Sequence, residues 1–101
     1  MVKHVILWKL DSSKTEQEKA EIKSNMKLHL EDLVGKVPGL VELKVNVDPL
    51  TSSNADVMLD STLESEEALA GYAKHPAHVK VADTYVRPYT VERVCMDYVV
   101  E

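Results

Sequence analysis

The chain has 101 residues, of which 45% are hydrophobic and 29% charged, and its formal net charge is -5 at pH 7. This length predicts one small domain, and the composition is that of a folded globular protein rather than a disordered one. The acidic balance argues against a nucleic-acid partner, because no basic stripe is available to contact phosphates. The single cysteine, Cys95, excludes an internal disulfide and predicts a cytoplasmic location, and its apolar neighbours predict a packed thiol.

The first stretch of the chain alternates in a way that predicts a β-strand over Val2 to Leu10. One face of this strand carries Val2, His4, Ile6, Trp8 and Leu10. The other face also holds apolar residues, Val5 and Leu7, so we expect both faces to be covered. Charged residues interrupt the stretch, which excludes a signal peptide, and no run in the chain is long enough to span a membrane.

A long amphipathic helix is predicted next. Thr15 and Glu18 have the spacing of a capping box, which marks a helix start. Apolar residues then recur at helical spacing, namely Ile22, Met26, Leu30, Leu33, Val34 and Val37. This stripe predicts a helix that continues to Val37 and is stopped there by Pro38 and Gly39. His29 lies within the stripe, where it is either a partly exposed histidine or part of a pocket.

Two strands that form a hairpin are predicted over Leu40 to Asp48 and Ala55 to Leu63, because a polar, turn-rich segment joins them. The apolar face of the first is expected to carry Val41, Leu43, Val45 and Val47. The apolar face of the second is expected to carry Ala55, Val57, Leu59, Ser61 and Leu63.

The last third of the chain predicts a helix and a final strand. Ser65 is a helix N-cap, and the helix ends at His75 because Pro76 disfavours helical geometry in the residue before it. Pro76 then begins a further helical turn. Val91 to Val100 predicts a strand with two distinct faces. One face carries Val94, Met96, Tyr98 and Val100, and the other carries Arg93, Cys95 and Asp97.

This order, β-α-β-β-α-β, predicts a ferredoxin-like α+β fold in a single domain over residues 1–101, with helices on one face of a four-stranded antiparallel sheet. The other sheet face stays open. It is expected to present Val5, Leu7, Val94, Met96 and Tyr98. A second copy of the chain is the simplest cover for an apolar patch of this size, so the sequence predicts a homodimer.

The candidate chemistry is concentrated in the segment Tyr72-Ala73-Lys74-His75-Pro76-Ala77-His78. The helix break at Pro76 lets Tyr72 and His78 converge. A neutral imidazole is a general base near physiological pH, and a phenol donates a hydrogen bond to a developing oxyanion, so the pair suits proton abstraction beside a carbonyl. In a purely structural alternative, His75 and His78 cap backbone groups around the turn while Tyr72 packs. The pattern alone favours this alternative.

A metal site is a further alternative use of the histidines. His75 and His78, with His4 or Asp83 added, supply nitrogen and oxygen ligands, but their spacing matches no familiar ligand signature. The sequence also shows no Gly-rich phosphate loop, no nucleophile elbow and no recognisable Cys-His-acid arrangement. The expectation is therefore no metal and no cofactor.

Four segments of the sequence resemble a known family, the stress-responsive dimeric α/β-barrel (Dabb) domains. They are Val2-Lys3-His4, Ala55-Asp56-Val57, the segment from Tyr72 to Val79, and Asp97-Tyr98. The resemblance covers nearly the whole chain. It implies a ferredoxin-like subunit whose sheet pairs with that of a second copy across a two-fold axis, and a stress-related role.

The resemblance also implies site residues, because the family includes a plant polyketide cyclase that performs an aldol condensation without a cofactor. By this likeness His78 is the general base, Tyr72 holds a carbonyl oxygen, and His4 joins them as a third catalytic residue. The implied substrate contacts are His75, Met26, His29, Ile6 and Trp8. The chain has no Phe, so its pocket wall departs from the aromatic wall of the cyclase.

The implied function is therefore small-molecule binding with a cyclase-like or lyase-like proton transfer on a carbonyl compound. The alternative is a non-enzymatic, stress-related or ligand-binding barrel in which Tyr72 and His78 only shape the turn.

Overall fold

The computed structural model describes residues 1–100. Its elements are β1 (Val2–Leu10), α1 (Glu16–Glu31), β2 (Leu40–Asn46), β3 (Val57–Leu63), α2 (Glu66–Lys74), α3 (Pro76–Val81) and β4 (Thr90–Val99). A π-helical turn over Ala82–Val86 and a 3-10 turn over Arg87–Tyr89 connect α3 to β4. The strands form one antiparallel sheet in the order β2-β3-β1-β4, which confirms the predicted ferredoxin-like α+β fold. Within these residues no helix is long and apolar enough to cross a membrane.

Strand β1 supplies the centre of the core. Its alternation is confirmed, since all five residues of its helix-facing side are buried. Three of them, Ile6, Trp8 and Leu10, pack with the stripe of α1 and the inner faces of β2 and β3. The most deeply buried apolar residues of those elements include Met26, Leu30, Val45, Leu59 and Leu63. The sheet thus presents one closed apolar face to the helices.

The start of α1 was predicted correctly. Thr15 Oγ accepts a hydrogen bond from the backbone N–H of Glu18, and a Glu18 carboxylate oxygen accepts one from the backbone N–H of Thr15 at 2.9 Å. This reciprocal capping box satisfies two of the N–H groups that a helix start leaves without partners.

The predicted end of α1 was wrong, because the helix ends at Glu31 and not at Val37. Gly35 adopts a φ of 91°, a left-handed conformation that no right-handed helix contains. Val37 is nevertheless buried, since the irregular segment folds back onto the core, whereas Val34 is exposed. The apolar pattern at helical spacing therefore extends beyond Glu31, where the helix itself ends.

Strand β2 corrects a second prediction. Its register with β3 shifts between Leu40 and Glu42, so the strand is irregular there. Val41 is exposed as a result, while Leu40 and Leu43 are both buried. One extra residue in a strand reverses the faces of those before it, which is why simple alternation placed Val41 wrongly.

The second face of the sheet is open and apolar, as predicted. Antiparallel pairing places Leu7 opposite Val94 and Val5 opposite Met96. Val94 and Met96 are 64% and 66% exposed, and Leu7 and Tyr98 are also exposed. At one side of this face Lys3 forms an ion pair with Asp60 at 2.7 Å.

Candidate functional site

The turn between α2 and α3 positions the candidate residues. His75 ends α2, and its Nδ1 accepts a hydrogen bond from the backbone N–H of Ala77, so this imidazole caps α3. His75 lines a separate groove beside Pro38 and Gly39. The structure therefore places His75 away from Tyr72 and His78, in the capping role that the structural alternative gave it.

Three aromatic rings converge from β1, α2 and α3. The ring centroids of Tyr72 and His78 lie 4.3 Å apart, with the planes tilted by 39°. The His4 ring lies 5.9 Å from that of Tyr72 in an edge-to-face arrangement. The His4 ring is hydrogen-bonded to Asp97, whose Oδ1 lies 2.5 Å from His4 Nδ1.

A cavity of about 190 Å³ lies between these rings and the sheet. Five of the residues predicted for the site line it, namely His4, Ile6, Trp8, Tyr72 and His78. A cleft of about 550 Å³ adjoins it and shares His4 in its wall. The cavity by itself is smaller than the usual site for a drug-sized ligand, about 300–1,000 Å³, whereas the adjoining cleft falls within that range.

Tyr72 contributes a buried phenol. Its side chain is 1% exposed, and among residues 1–100 its hydroxyl has no hydrogen-bond partner, His78 included. Burial raises the pKa of the Tyr72 hydroxyl well above its usual range. The group therefore keeps its proton at physiological pH and can act only as a neutral hydrogen-bond donor or acceptor.

His78 is arranged as a neutral base. Its Nδ1 lies 3.2 Å from the Ala73 carbonyl oxygen, and because a carbonyl can only accept, Nδ1 carries the proton in the neutral ring. The lone pair is then on Nε2. Burial is the main cause that lowers the pKa of His78, and the Arg87 charge lowers it further. The imidazole is consequently unprotonated at neutral pH and able to accept a proton.

The profile of the stress responsive A/B barrel domain matches residues 2–100, almost the whole chain. The chain belongs to this family, the Dabb domains. A comparison with curated proteins finds no significant match.

Solved structures with the same fold come from bacteria and plants. A dimeric protein of unknown function from Bacteroides fragilis NCTC 9343 has a TM-score of 0.90 at 26% identity, covering 96% of this Dabb chain and 93% of its own. At3g17210 from Arabidopsis thaliana has a TM-score of 0.78 at 24% identity, covering 100% and 96%. The hydroxynitrile lyase from Passiflora edulis has a TM-score of 0.75 at 16% identity, covering 99% and 93%.

Besides His75, two further predicted substrate contacts of the Dabb chain, Met26 and His29, lie outside the cavity. Met26 is completely buried in the core between α1 and the sheet. His29 stacks on Tyr85, with ring centroids 3.8 Å apart and planes within 5° of parallel. Both lie on α1, where Met26 packs against the sheet and His29 against the turn that holds Tyr85, so neither faces the cavity.

Sequence reasoning missed the contribution of β4. Asp97 lies opposite His4 in the register, and Cys95 lies opposite Ile6. Cys95 Sγ is 3.5 Å from Asp97 Oδ1 and 3.7 Å from His4 Nδ1, so the structure brings together a Cys, a His and an acid that the sequence pattern did not reveal. Cys95 is also exposed rather than packed. Although the residue is exposed, some loss of hydration at its sulfur and the nearby Asp97 carboxylate raise the pKa of Cys95, so without a metal it is a thiol at neutral pH.

A signal for this group was present in the sequence. The alternation of the last strand already separated Arg93, Cys95 and Asp97 from the residues of the open face, which assigned them to the helix side. Only the pairing of β4 with β1 was needed to bring them to His4. The alternative metal ligands are not assembled, because Asp83 pairs with Arg87 and His75 faces the other groove.

The environment of His78 predicts an NMR titration. We expect its imidazole to titrate below the ordinary pKa of 6.5, since burial disfavours the charged ring. Above its lowered pKa the His78 imidazole is neutral and can accept a proton, and as the pH falls through that pKa the ring becomes protonated and cannot. When the protein is unfolded in urea, the pKa of the same imidazole should return to about 6.5. A folded pKa equal to or above the value in urea would contradict this environment.

Proposed function

We propose that this Dabb protein binds a small carbonyl compound and moves a proton on it without a cofactor. His78 Nε2 removes a proton from the carbon beside the carbonyl, and the Tyr72 hydroxyl donates a hydrogen bond to the oxygen as it becomes negative. The observation that carries the proposal is the buried Tyr72 hydroxyl, which lacks a partner among residues 1–100 and lies beside an imidazole whose Nε2 is free.

The energetics of the Tyr72 hydroxyl favour a ligand. A buried hydroxyl without a partner costs about 1–3 kcal/mol, which a ligand oxygen in the cavity would recover. Buried polar groups without a partner are rare in native proteins, and a role in binding or catalysis is one explanation for them. His4 supports the geometry, because Asp97 fixes its ring and its ring contacts Tyr72 edge to face.

The walls suggest the chemical class of the ligand. Ile6 and Trp8 give the cavity an apolar side, which suits the body of an aromatic or aliphatic carbonyl compound. The Passiflora edulis relative is a hydroxynitrile lyase, so lyase chemistry is compatible with this fold. A polyketide-cyclase-like condensation would use the same first step, the removal of a proton beside a carbonyl.

The proposed assembly is a homodimer in which two open sheet faces pack together. The exposed apolar residues of that face support it, and the Bacteroides fragilis relative is described as dimeric. Burial of such a face against its own copy is the usual resolution of a large exposed apolar patch. A cytoplasmic, stress-related role belongs to the same proposal, and the free thiol of Cys95 is compatible with a reducing compartment.

Deuterium exchange tests the proposed proton transfer. Small ketones and phenolic ketones are incubated with the protein in D2O, and exchange beside the carbonyl is followed by NMR. We expect wild-type protein to accelerate exchange of a bound compound, and His78→Ala to lower the rate by about 10²- to 10⁴-fold, the usual contribution of a general base.

The matched control is His29→Ala, which removes an imidazole stacked on Tyr85 and outside the cavity. This variant should retain the wild-type exchange rate. Equal rates for wild type and His78→Ala would contradict the catalytic role. Saturable binding of a carbonyl compound without accelerated exchange would instead support the non-enzymatic ligand-binding alternative.

A further inference from the structure

The side chains of His4, Cys95 and Asp97 meet on adjacent strands. One potential ligand atom from each, a nitrogen, a sulfur and an oxygen, lies within 4.8 Å of the other two. The strand pairing fixes this arrangement, because Asp97 is the direct partner of His4 and Cys95 precedes Asp97 by two residues on the same face. Sites carried on paired strands hold their side chains more precisely than sites on loops.

The separations of these atoms approach those of a tetrahedral metal site. Zinc lies about 2.3 Å from sulfur and about 2.0–2.1 Å from nitrogen or oxygen, which separates the sulfur from each lighter ligand by about 3.5 Å. The observed sulfur distances are 3.5 Å to Asp97 Oδ1 and 3.7 Å to His4 Nδ1. Two of the three distances between ligand atoms are therefore already close to the required length.

The third edge is short for a reason that a metal would remove. His4 Nδ1 and Asp97 Oδ1 are 2.5 Å apart because they share a hydrogen bond. A tetrahedral ion needs about 3.3 Å between them, from the same bond lengths. A metal that displaces the shared proton would separate the two atoms by about 0.8 Å. A rotation of the exposed Asp97 side chain can supply that movement.

We propose that His4, Cys95 and Asp97 bind a divalent zinc-like metal ion, with a fourth position open to the adjoining cleft. All three residues line that cleft of about 550 Å³, which gives the ion a path of entry. Thiolate, imidazole and carboxylate are the ligand types that zinc prefers, and three protein ligands with one open position are typical of catalytic zinc sites. The thiolate and the carboxylate together neutralise the charge of the ion.

This inference goes beyond the proposed function, because no step of the proton transfer uses a metal. The site meets the first cavity at His4, whose ring contacts Tyr72. A molecule bound at the open position would lie in the cleft, next to the space where the carbonyl compound is expected. The ligands come from β1 and β4, and not from the His75 and His78 segment whose spacing matched no ligand signature.

Cobalt and zinc titrations test the site on the reduced, full-length protein. Co²⁺ should bind at one ion per chain and produce the near-ultraviolet absorption of a thiolate-to-cobalt bond. Calorimetry with Zn²⁺ should give the same stoichiometry. Cys95→Ser should remove the absorption. Cys95→Ser and Asp97→Asn should each weaken binding by at least about 10- to 100-fold, the loss typical of an outer-shell partner, because each removes a direct ligand.

His29→Gln is the matched control, since it changes a partly buried histidine outside the cluster and should leave both signals unchanged. Circular dichroism confirms folding of Cys95→Ser and Asp97→Asn, whose native side chains are exposed. The proposal is overturned if Zn²⁺ shows no saturable binding, or if Cys95→Ser binds with unchanged affinity and spectrum. His78→Ala should bind metal normally, so a failed exchange experiment leaves this test intact.

Discussion

Tyr72→Phe should make the free protein more stable and at the same time impair its action on a ligand. The native hydroxyl is buried without a partner among residues 1–100. Replacing it with hydrogen removes a desolvation cost, so the free energy of unfolding should rise by about 1 kcal/mol. For a domain of this size that is an increase of about 4–8 °C in the melting temperature. Differential scanning calorimetry without ligand measures it.

The same substitution should lower the rate of the proposed proton transfer by about 10²- to 10³-fold, the usual effect of removing one donor to an oxyanion. His78 should keep its lowered pKa, because its own contacts are unchanged. Tyr85→Phe is the control, since its ring stacks on His29 outside the cavity. Tyr85→Phe should change neither the melting temperature nor the rate of proton transfer. A less stable Tyr72→Phe protein with full activity would show that the hydroxyl serves the fold and not a ligand.

Met96→Glu should dissociate the proposed homodimer. The side chain lies on the edge strand β4, on the open sheet face opposite Val5, and is 66% exposed in the single subunit. A carboxylate there can remain in water in the monomer, so the subunit should fold normally. In the dimer the two copies would bury like charges, at an effective cost of several kcal/mol per ion. Sedimentation equilibrium at micromolar concentration should therefore show a dimer for wild type and a monomer for the variant.

Leu28→Glu is the matched control for this prediction. Leu28 is 63% exposed, almost the same as Met96, but lies on α1 away from the open face. The substitution adds the same charge and should leave the dimer intact. A Met96→Glu protein that stays dimeric would place the interface elsewhere, and a monomeric wild type would remove the dimer from the proposal.

Local patterns were sufficient for most of the fold. The alternation of β1, the capping box at Thr15 and the helix break at Pro76 each depend on residues that are close in sequence. The end of α1 depends instead on the positive φ of Gly35, and the exposure of Val41 depends on an irregularity in strand pairing. Hydrophobic periodicity shows neither the end of α1 nor the irregular pairing. Buried residues of an irregular segment such as Val37 also fall at apolar positions, and strand pairing is not a property of one segment.

The candidate site was harder to predict than the fold. Tyr72 and His78 are near each other in sequence, and His4 followed from strand alternation and from the family resemblance. Asp97 and Cys95 reach His4 only through the register of β1 with β4, which no local pattern determines. Met26 and His29 were predicted from a likeness of position on α1, whereas the structure uses one for the core and the other for a surface stack.

The bond between His4 and Asp97 also bears on how the protein is made. The two residues are 93 positions apart, so they meet only when a very long loop has closed. During synthesis β1, α1 and the β2–β3 hairpin emerge well before β4, at about 5–20 residues per second. Until β4 docks, the His4 ring has no carboxylate to orient it. Competence to bind a ligand should therefore appear late and abruptly in folding, with the docking of the last strand.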